Sequence, residues 1–300
     1  MIHPARFLFN AGSTPKQWNQ KMLDDKHFKV LEYEPNCSKV FANTEIKGGV
    51  AISYRDKRKD FGSITVFTPY NELNKILHKV LSTTKHYLSE IAISRTSYRL
   101  TDKMHQENPQ ALSLLSKGHP YDMSTNIFDL LPFIFYDEKP NDGKEYIKIL
   151  GRENNERVYK YIRRDFVNDV VNLNAYKILL PEASGTGSFG ETLSPPFIGC
   201  PNLANTETFL SIGKFNTENE AKNLLKYIKS KFARTMLGVL KVTQHITPVK
   251  FKYVPLQNFT SSSDIDWTKS VHDIDLQLYD KYGLTDDERQ FIETHVKAME

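Results

Sequence analysis

Only two cysteines occur in 300 residues, Cys37 and Cys200, far apart and without metal-ligand spacing. Two reduced thiols are therefore expected, not a disulfide framework or a zinc site. No apolar run approaches the ~20 residues of a membrane span, and no signal-peptide pattern opens the chain, so a soluble, cytoplasmic protein is the expectation. The nine histidines are scattered, with no H-x-E or H-E-x-x-H arrangement. With no nucleophilic serine or cysteine signature either, hydrolytic and zinc chemistry have no support. An excess of one charge is missing too. A net charge of +4 with 25% charged residues is too mild to imply nucleic acid by itself.

The distribution of charge says more than its sum. Residues 264–300 hold ten acids against four bases, a local −6, which leaves about +10 for the rest. Positive charge concentrates in residues 144–164 and 214–241, so a basic body with an acidic tail suits a phosphate-facing surface. The hydrophobic share of 39% suffices for a buried core, and the length suggests two domains.

Local patterns predict the elements. Residues 5–10 (ARFLFN) read as a short apolar strand ending in the turn at residues 11–13. Thr14 is expected to cap a helix with Pro15 at its first position and Trp18, Met22 and Leu23 on its buried stripe. Residues 28–33 read as a strand. Residues 49–54 and 63–68 read as an antiparallel hairpin across a charged turn. A helical period runs over residues 72–90, with Leu73, Ile76, Leu77, Val80, Leu81 and Leu88 on one face, and residues 96–122 read as a polar connector. Further on, residues 128–136 are apolar, and strands are expected at 146–150, 158–162, 175–180 and 209–212. Thr217 and Glu220 form a capping box for a helix whose stripe runs from Ala221 to Leu240, with Lys222, Lys226, Lys229 and Arg234 opposite. Two final helices flank Gly283, the second capped by Thr285 and Glu288.

Several long segments carry a resemblance. HPARFLFNAG (3–12) and FANTEIKGGVAISY (41–54) are similar to the back half of a gamma-class, TaqI-like, adenine-specific DNA methyltransferase of the type II restriction-modification kind. GRENNERVYKYIRRD (151–165), YKILLPEASGTGSFGE (176–191), KYIKSKFARTMLGVLKVTQ (226–244) and FKYVPLQNFTSSSDIDW (251–267) resemble the target-recognition region and tail of the same enzymes. The resemblance implies an α+β chain: a partial Rossmann-like methyltransferase sheet (1–70), a helical connector (71–122), a mixed, largely β target-recognition domain (123–262) and a helical tail (263–300). It further implies double-stranded DNA as partner, together with an N-terminal methyltransferase or nuclease portion or a separate subunit. S-adenosylmethionine would serve the complete enzyme. The family's glycine-rich cofactor loop and Asn-Pro-Pro-Tyr turn are not found ahead of His3, so the chain alone is expected neither to bind the cofactor nor to transfer methyl groups. By resemblance, Phe41 would stack on an extruded adenine, although Ala42 stands where the family has proline; its plain alternative is a core aromatic between strands.

Three motifs mislead. Residues 185–190 (GTGSFG) match G-x-G-x-x-G, yet prolines follow where a dinucleotide site needs a helix. A glycine turn is the simpler reading, with DNA-backbone contact through Ser184, Thr186 and Ser188 as an alternative. Residues 194–197 (SPPF) imitate a catalytic Ser/Asn-Pro-Pro-aromatic turn but lie after the recognition sequences. Asp137, Glu138 and Lys139 imitate half of a nuclease metal site without an upstream partner, so no metal is assigned.

For DNA, Arg157, Lys160, Arg163 and Arg164 on a strand, and Lys229, Lys231, Arg234 and Lys241 on a helix, are candidates for phosphate contact or for a merely solvated face. Arg152, Asn154, Asn155 and Gln244 carry the forked donors and amides that suit base edges. Three functions fit these residues: the recognition part of a methyltransferase/restriction system, a solitary DNA-binding module or inactive remnant, and a self-sufficient enzyme with an unrecognised site. The missing cofactor loop weighs against the third.

Overall fold

The computed structural model describes residues 1–9, 14–42, 46 and 48–299. The chain divides into two compact units, Met1–Ser82 and Thr83–Glu300.

In the first unit, β1 (Ile2–Pro4), β2 (Phe28–Glu34) and β3 (Val50–Arg55) form an antiparallel sheet in the order β1-β3-β2. Over its described residues, 5–9, the strand expected at 5–10 is not one. Ala5 closes the β1 ladder by donating its amide to Gly49 at 3.0 Å, and Arg6–Phe9 then wind into a 3-10 turn. Three consecutive bulky apolar side chains explain the turn, since a strand would aim every second one at solvent. The turn buries both Phe7 and Leu8, which pack with Leu23, Phe28, Ala51 and Phe67. Between β1 and β2 lies α1 (Lys16–Asp24). Pro15, not Thr14, holds its cap position, without a side-chain cap bond; Asn19 and Leu23 are buried and Trp18 is 43% exposed. The turn expected at 11–13 lies outside the described residues. The hairpin expected after β3 does not form: Thr65 bonds to the Leu23 carbonyl, Thr68 exchanges bonds with the Asn74 side chain, and Phe67 enters the core. Helix α2 (Asn71–Thr83) buries Leu73, Ile76, Leu77 and Val80 but stops before Leu88, which sits in a separate 3-10 turn capped by Glu90.

The second unit opens with β4 (Ala92–Ile93) and short helices α3 (Asp102–Glu107), α4 (Ala111–Leu114) and α5 (Ile127–Leu130). The polar-looking connector supplies Tyr98, Leu100, Met104 and Ala111 to a core with Ile127, Phe128, Ile147, Ile149 and Ile162. Next come β5 (Tyr146–Glu153), β6 (Glu156–Arg163), β7 (Tyr176–Pro181), β8 (Phe197–Gly199), β9 (Leu203–Asn205) and β10 (Phe209–Phe215). They make two sheets: β4-β10-β7-β8, all antiparallel, and β6-β5-β9, in which β9 runs parallel to β5. Leu150, Leu179, Leu203 and Phe209 gather from four of these strands into one cluster, with Phe197 against it.

The single helix expected over 217–240 is two. Helix α6 (Glu218–Lys229) starts at the predicted Thr217–Glu220 capping box, then Ser230 turns to ψ 147° and caps α7 (Lys231–Gly238) by accepting from the Ala233 amide. The break is held by Asp275 of α8 (Val271–Lys281), whose carboxylate accepts from the amides of Lys231 (3.0 Å) and Phe232 (2.8 Å). Burial pushes this carboxyl up to about 6 against those two bonds. Helix α9 (Asp286–His295) begins at the expected Thr285–Glu288 box.

Candidate nucleic-acid interface

The β5–β6 hairpin is built by alternation. Ile147 and Ile149 of β5 and Ile162 of β6 point into the core, so residues of opposite parity face away from it. Asn154 (φ 49°) and Asn155 (φ 67°) connect the strands. Two left-handed residues are what a two-residue hairpin turn requires, and asparagine tolerates them better than most side chains do. The turn fixes the register in which Arg152 lies directly opposite Arg157, with Lys148 opposite Tyr161 further down the same face.

Both arginines are exposed. The Arg157 guanidinium stacks over Phe197 at 5.2 Å and Phe209 at 5.6 Å, which holds its plane without neutralising it. Among the described residues, no carboxylate lies within ion-pair distance of either guanidinium. Tyr159, on the same face, is 50% exposed, and Lys148 lies 5.6 Å from the Tyr161 ring centre. Like charges directly opposite one another in a strand pair are destabilising. This pair is therefore kept at a cost that an anionic ligand would relieve. Alternation in β6 could have flagged Tyr159 and Tyr161 beside Arg157; the role of Phe197 could not be read, because β8 is only three residues long.

The remaining expected DNA residues lie elsewhere and are differently engaged. Lys160 is on the opposite face, paired with Asp137 (2.9 Å) and Glu153 (3.1 Å). Arg163 is buried between Glu107 and Asp165, over the Phe166 ring. Arg164 pairs with Asp169 and donates to the Val167 carbonyl. On α7, Lys231 binds Glu293 at 2.6 Å. Arg234, predicted on a polar face, is 3% exposed and donates to the carbonyls of Lys229, Glu191 and Lys297. The break at Ser230 rotates α7 relative to the stripe drawn through a single helix, and this brings Arg234 inside. Lys229 is half-buried and has an internal partner. Gln244 is exposed beside His245.

The glycine loop already has an anion. The amides of Thr186 (2.8 Å) and Gly187 (2.7 Å) and the Thr186 hydroxyl (3.0 Å) all donate to the Glu191 carboxylate, which also binds Lys241. The carboxyl is held down at about 2: burial opposes ionisation, but the Lys241 bond and the two amides outweigh it. Ser184 is buried and accepts from the Ser194 amide, while Ser188 bonds Thr186. Gly190, at φ 76°, is required for another reason, since a Cβ there would lie 1.9 Å from the His295 carbonyl oxygen.

In the first unit, Phe41 is 41% exposed at the end of a 3-10 turn, its amide bonded to the Cys37 carbonyl, so it is not the core aromatic of the plain alternative. Parts of the resembling segment around it (43–45 and 47) lie outside the described residues. Among the described residues no three acidic, histidine or cysteine side chains group to hold a metal, and no helix is long and apolar enough to cross a membrane.

No protein-family model and no curated protein matches the chain. Among solved structures it is loosely similar to the type IIG restriction endonuclease BpuSI, with 10% identity and a TM-score of 0.35, over 98% of this chain. The chain spans 45% of that protein's length, and a likeness so loose assigns neither fold nor activity.

Proposed function

We propose that this chain is the DNA-recognition portion of an adenine-specific methyltransferase of the type II restriction-modification kind, and that the β5–β6 hairpin is its DNA-facing element. One observation carries the DNA reading: Arg152 and Arg157 face each other at the hairpin tip, exposed and without a carboxylate partner among the described residues. An arginine pair on a two-stranded ribbon suits phosphates or guanine edges, and a ribbon of this width enters a major groove. The finer assignment to the methyltransferase family rests on the sequence resemblance, supported by the strand, helix, strand, strand order of β1, α1, β2 and β3. Phe41 is the adenine-stacking candidate in that reading, its ring accessible. The methyl donor would be held by a portion or subunit carrying the glycine-rich loop and the Asn-Pro-Pro-Tyr turn, and no residue of this chain is assigned to it.

Fluorescence anisotropy with a labelled duplex of ~30 base pairs at rising salt tests the reading. Affinity should fall steeply with salt, and Arg152→Ala/Arg157→Ala should lower the slope by about two, one for each phosphate left without its arginine. If the double variant binds duplex DNA as the parent does, the hairpin is not the interface.

A further inference from the structure

At the far end of the hairpin from its turn, where β5 begins and β6 ends, the second unit carries an open cleft of about 370 Å³. Its lining brings together Lys139, Lys144, Arg164, Asn174 and Asn202, against a single carboxylate, Glu145. Of the three cations that converge on this concave wall, Arg164 is paired with Asp169 and Lys144 stands 3.7 Å from Asp142, which leaves Lys139 as the one without a carboxylate partner among the described residues. The parts are positioned rather than loose. Arg164 donates to the Val167 carbonyl at 2.7 Å and contacts Asp169, which together orient its guanidinium plane. Asn202 is held at φ 62°, its amide bonded to the Leu173 carbonyl at 2.9 Å. Lys139 has no partner among the described residues, and Lys144 reaches only the nearby Asp142, at 3.7 Å. That acid already accepts the Tyr146 hydroxyl at 3.0 Å.

We propose that this cleft binds a phosphate ester, with Lys139 and Lys144 neutralising its charge, Arg164 offering the guanidinium N–H groups not taken up by Asp169 and Val167, and Asn174 and Asn202 as neutral donors. A fork of guanidinium donors and two mobile ammonium groups match the several oxygens of a phosphate better than a planar carboxylate. The site stands independently of the arginine pair at the hairpin tip. The phosphate could belong to a nucleic-acid strand or to a free phosphorylated molecule, and the cleft chemistry is the same for both.

Calorimetric titration of the whole chain with inorganic phosphate, against chloride at constant ionic strength, is the test. Binding in the millimolar range is expected, weakened about tenfold or more by Lys139→Ala/Lys144→Ala and tightened about threefold by Glu145→Gln. Both lysines and the glutamate are exposed, so an unchanged unfolding midpoint checks that the variants fold. The Arg152→Ala/Arg157→Ala variant should keep its phosphate binding, which separates failure here from failure of the hairpin reading. Phosphate that competes with labelled duplex places a DNA phosphate in the cleft; phosphate that binds without competing points to a free phosphorylated molecule. Equal binding by the parent and the double-lysine variant, or heats no larger than those of chloride, would overturn the proposal.

Discussion

Two basic regions that look alike as sequence, residues 152–164 and 226–241, are put to different uses by the fold. In the helical region the cations are turned inward: Lys231 to Glu293, Lys241 to Glu191, Arg234 to three carbonyls. In the hairpin, Lys160, Arg163 and Arg164 are likewise engaged, but Arg152 and Arg157 at the tip are not. A cation with a buried partner holds a fold together, whereas one displayed beside another cation weakens it and waits for an anion. Density of positive charge does not distinguish the two cases. The partner does.

The largest effect expected from removing a cation is therefore on stability, in the helical region. Arg234→Ala would leave three carbonyls without their donor inside the protein and should cost about 3 kcal/mol, read from the urea midpoint, with affinity for DNA little changed. A midpoint within experimental error of the parent would break the comparison at its strongest point.

The mirror experiment comes next. Arg152→Ala/Arg157→Ala should weaken duplex binding about 10- to 100-fold at low salt while leaving the urea midpoint unchanged or slightly raised, since a like-charge pair is relieved. A lowered midpoint with intact binding would reverse the roles assigned to the two regions.

How much of this contrast the sequence reveals depends on range. The Thr217–Glu220 and Thr285–Glu288 boxes are legible because a cap spans only four residues. Strands β5 and β6 are legible from alternation. The break at Ser230 is not, because Asp275, which holds it, lies 44 residues away along the chain. Nor can the partners of Lys231 and Lys241, 62 and 50 residues distant, be read from a charge pattern. Residues 5–10 and 63–68 escape a local reading for a related reason: short apolar runs fit a strand or a turn equally, and only their packing against Leu23 and Phe28 decides. The candidate cations are thus visible in the sequence, but the sorting of displayed from engaged ones is not.

A pH experiment sharpens the helical side. Glu191 ionises at about 2 in the folded chain, below its value when unfolded. The depressed value means that its contribution is complete above pH ~4.5 and is lost as pH falls toward 2, amounting to about 2 kcal/mol. Urea midpoints across that window should fall less steeply in Glu191→Gln than in the parent, and parallel curves would show that the Glu191–Lys241 clasp contributes nothing. The smallest effect should come from Lys229→Ala/Lys231→Ala, less than threefold on duplex binding, because these side chains are already engaged internally. A tenfold loss would return α6 and α7 to the interface.

The hairpin turn has one more consequence. In the observed register Arg152 meets Arg157 and Glu153 meets Glu156. Sliding β6 by one residue in one direction would set Arg152 against Glu156, and in the other direction Glu153 against Arg157. Either slip would satisfy the tip charges that the native alignment opposes, so this stretch is locally frustrated: its electrostatics favour neighbouring registers that the apolar residues of β6 and the paired asparagines forbid. Val158 and Ile162 of β6, which pack in or against the core, would be driven to the outer face by a one-residue slip, and burying them outweighs the few tenths of a kcal/mol per like-charged pair. Such tension is tolerated where a protein's purpose conflicts with its own comfort, and it makes the length of the Asn154–Asn155 turn, rather than any single charge, the setting on which the tip's positive face depends.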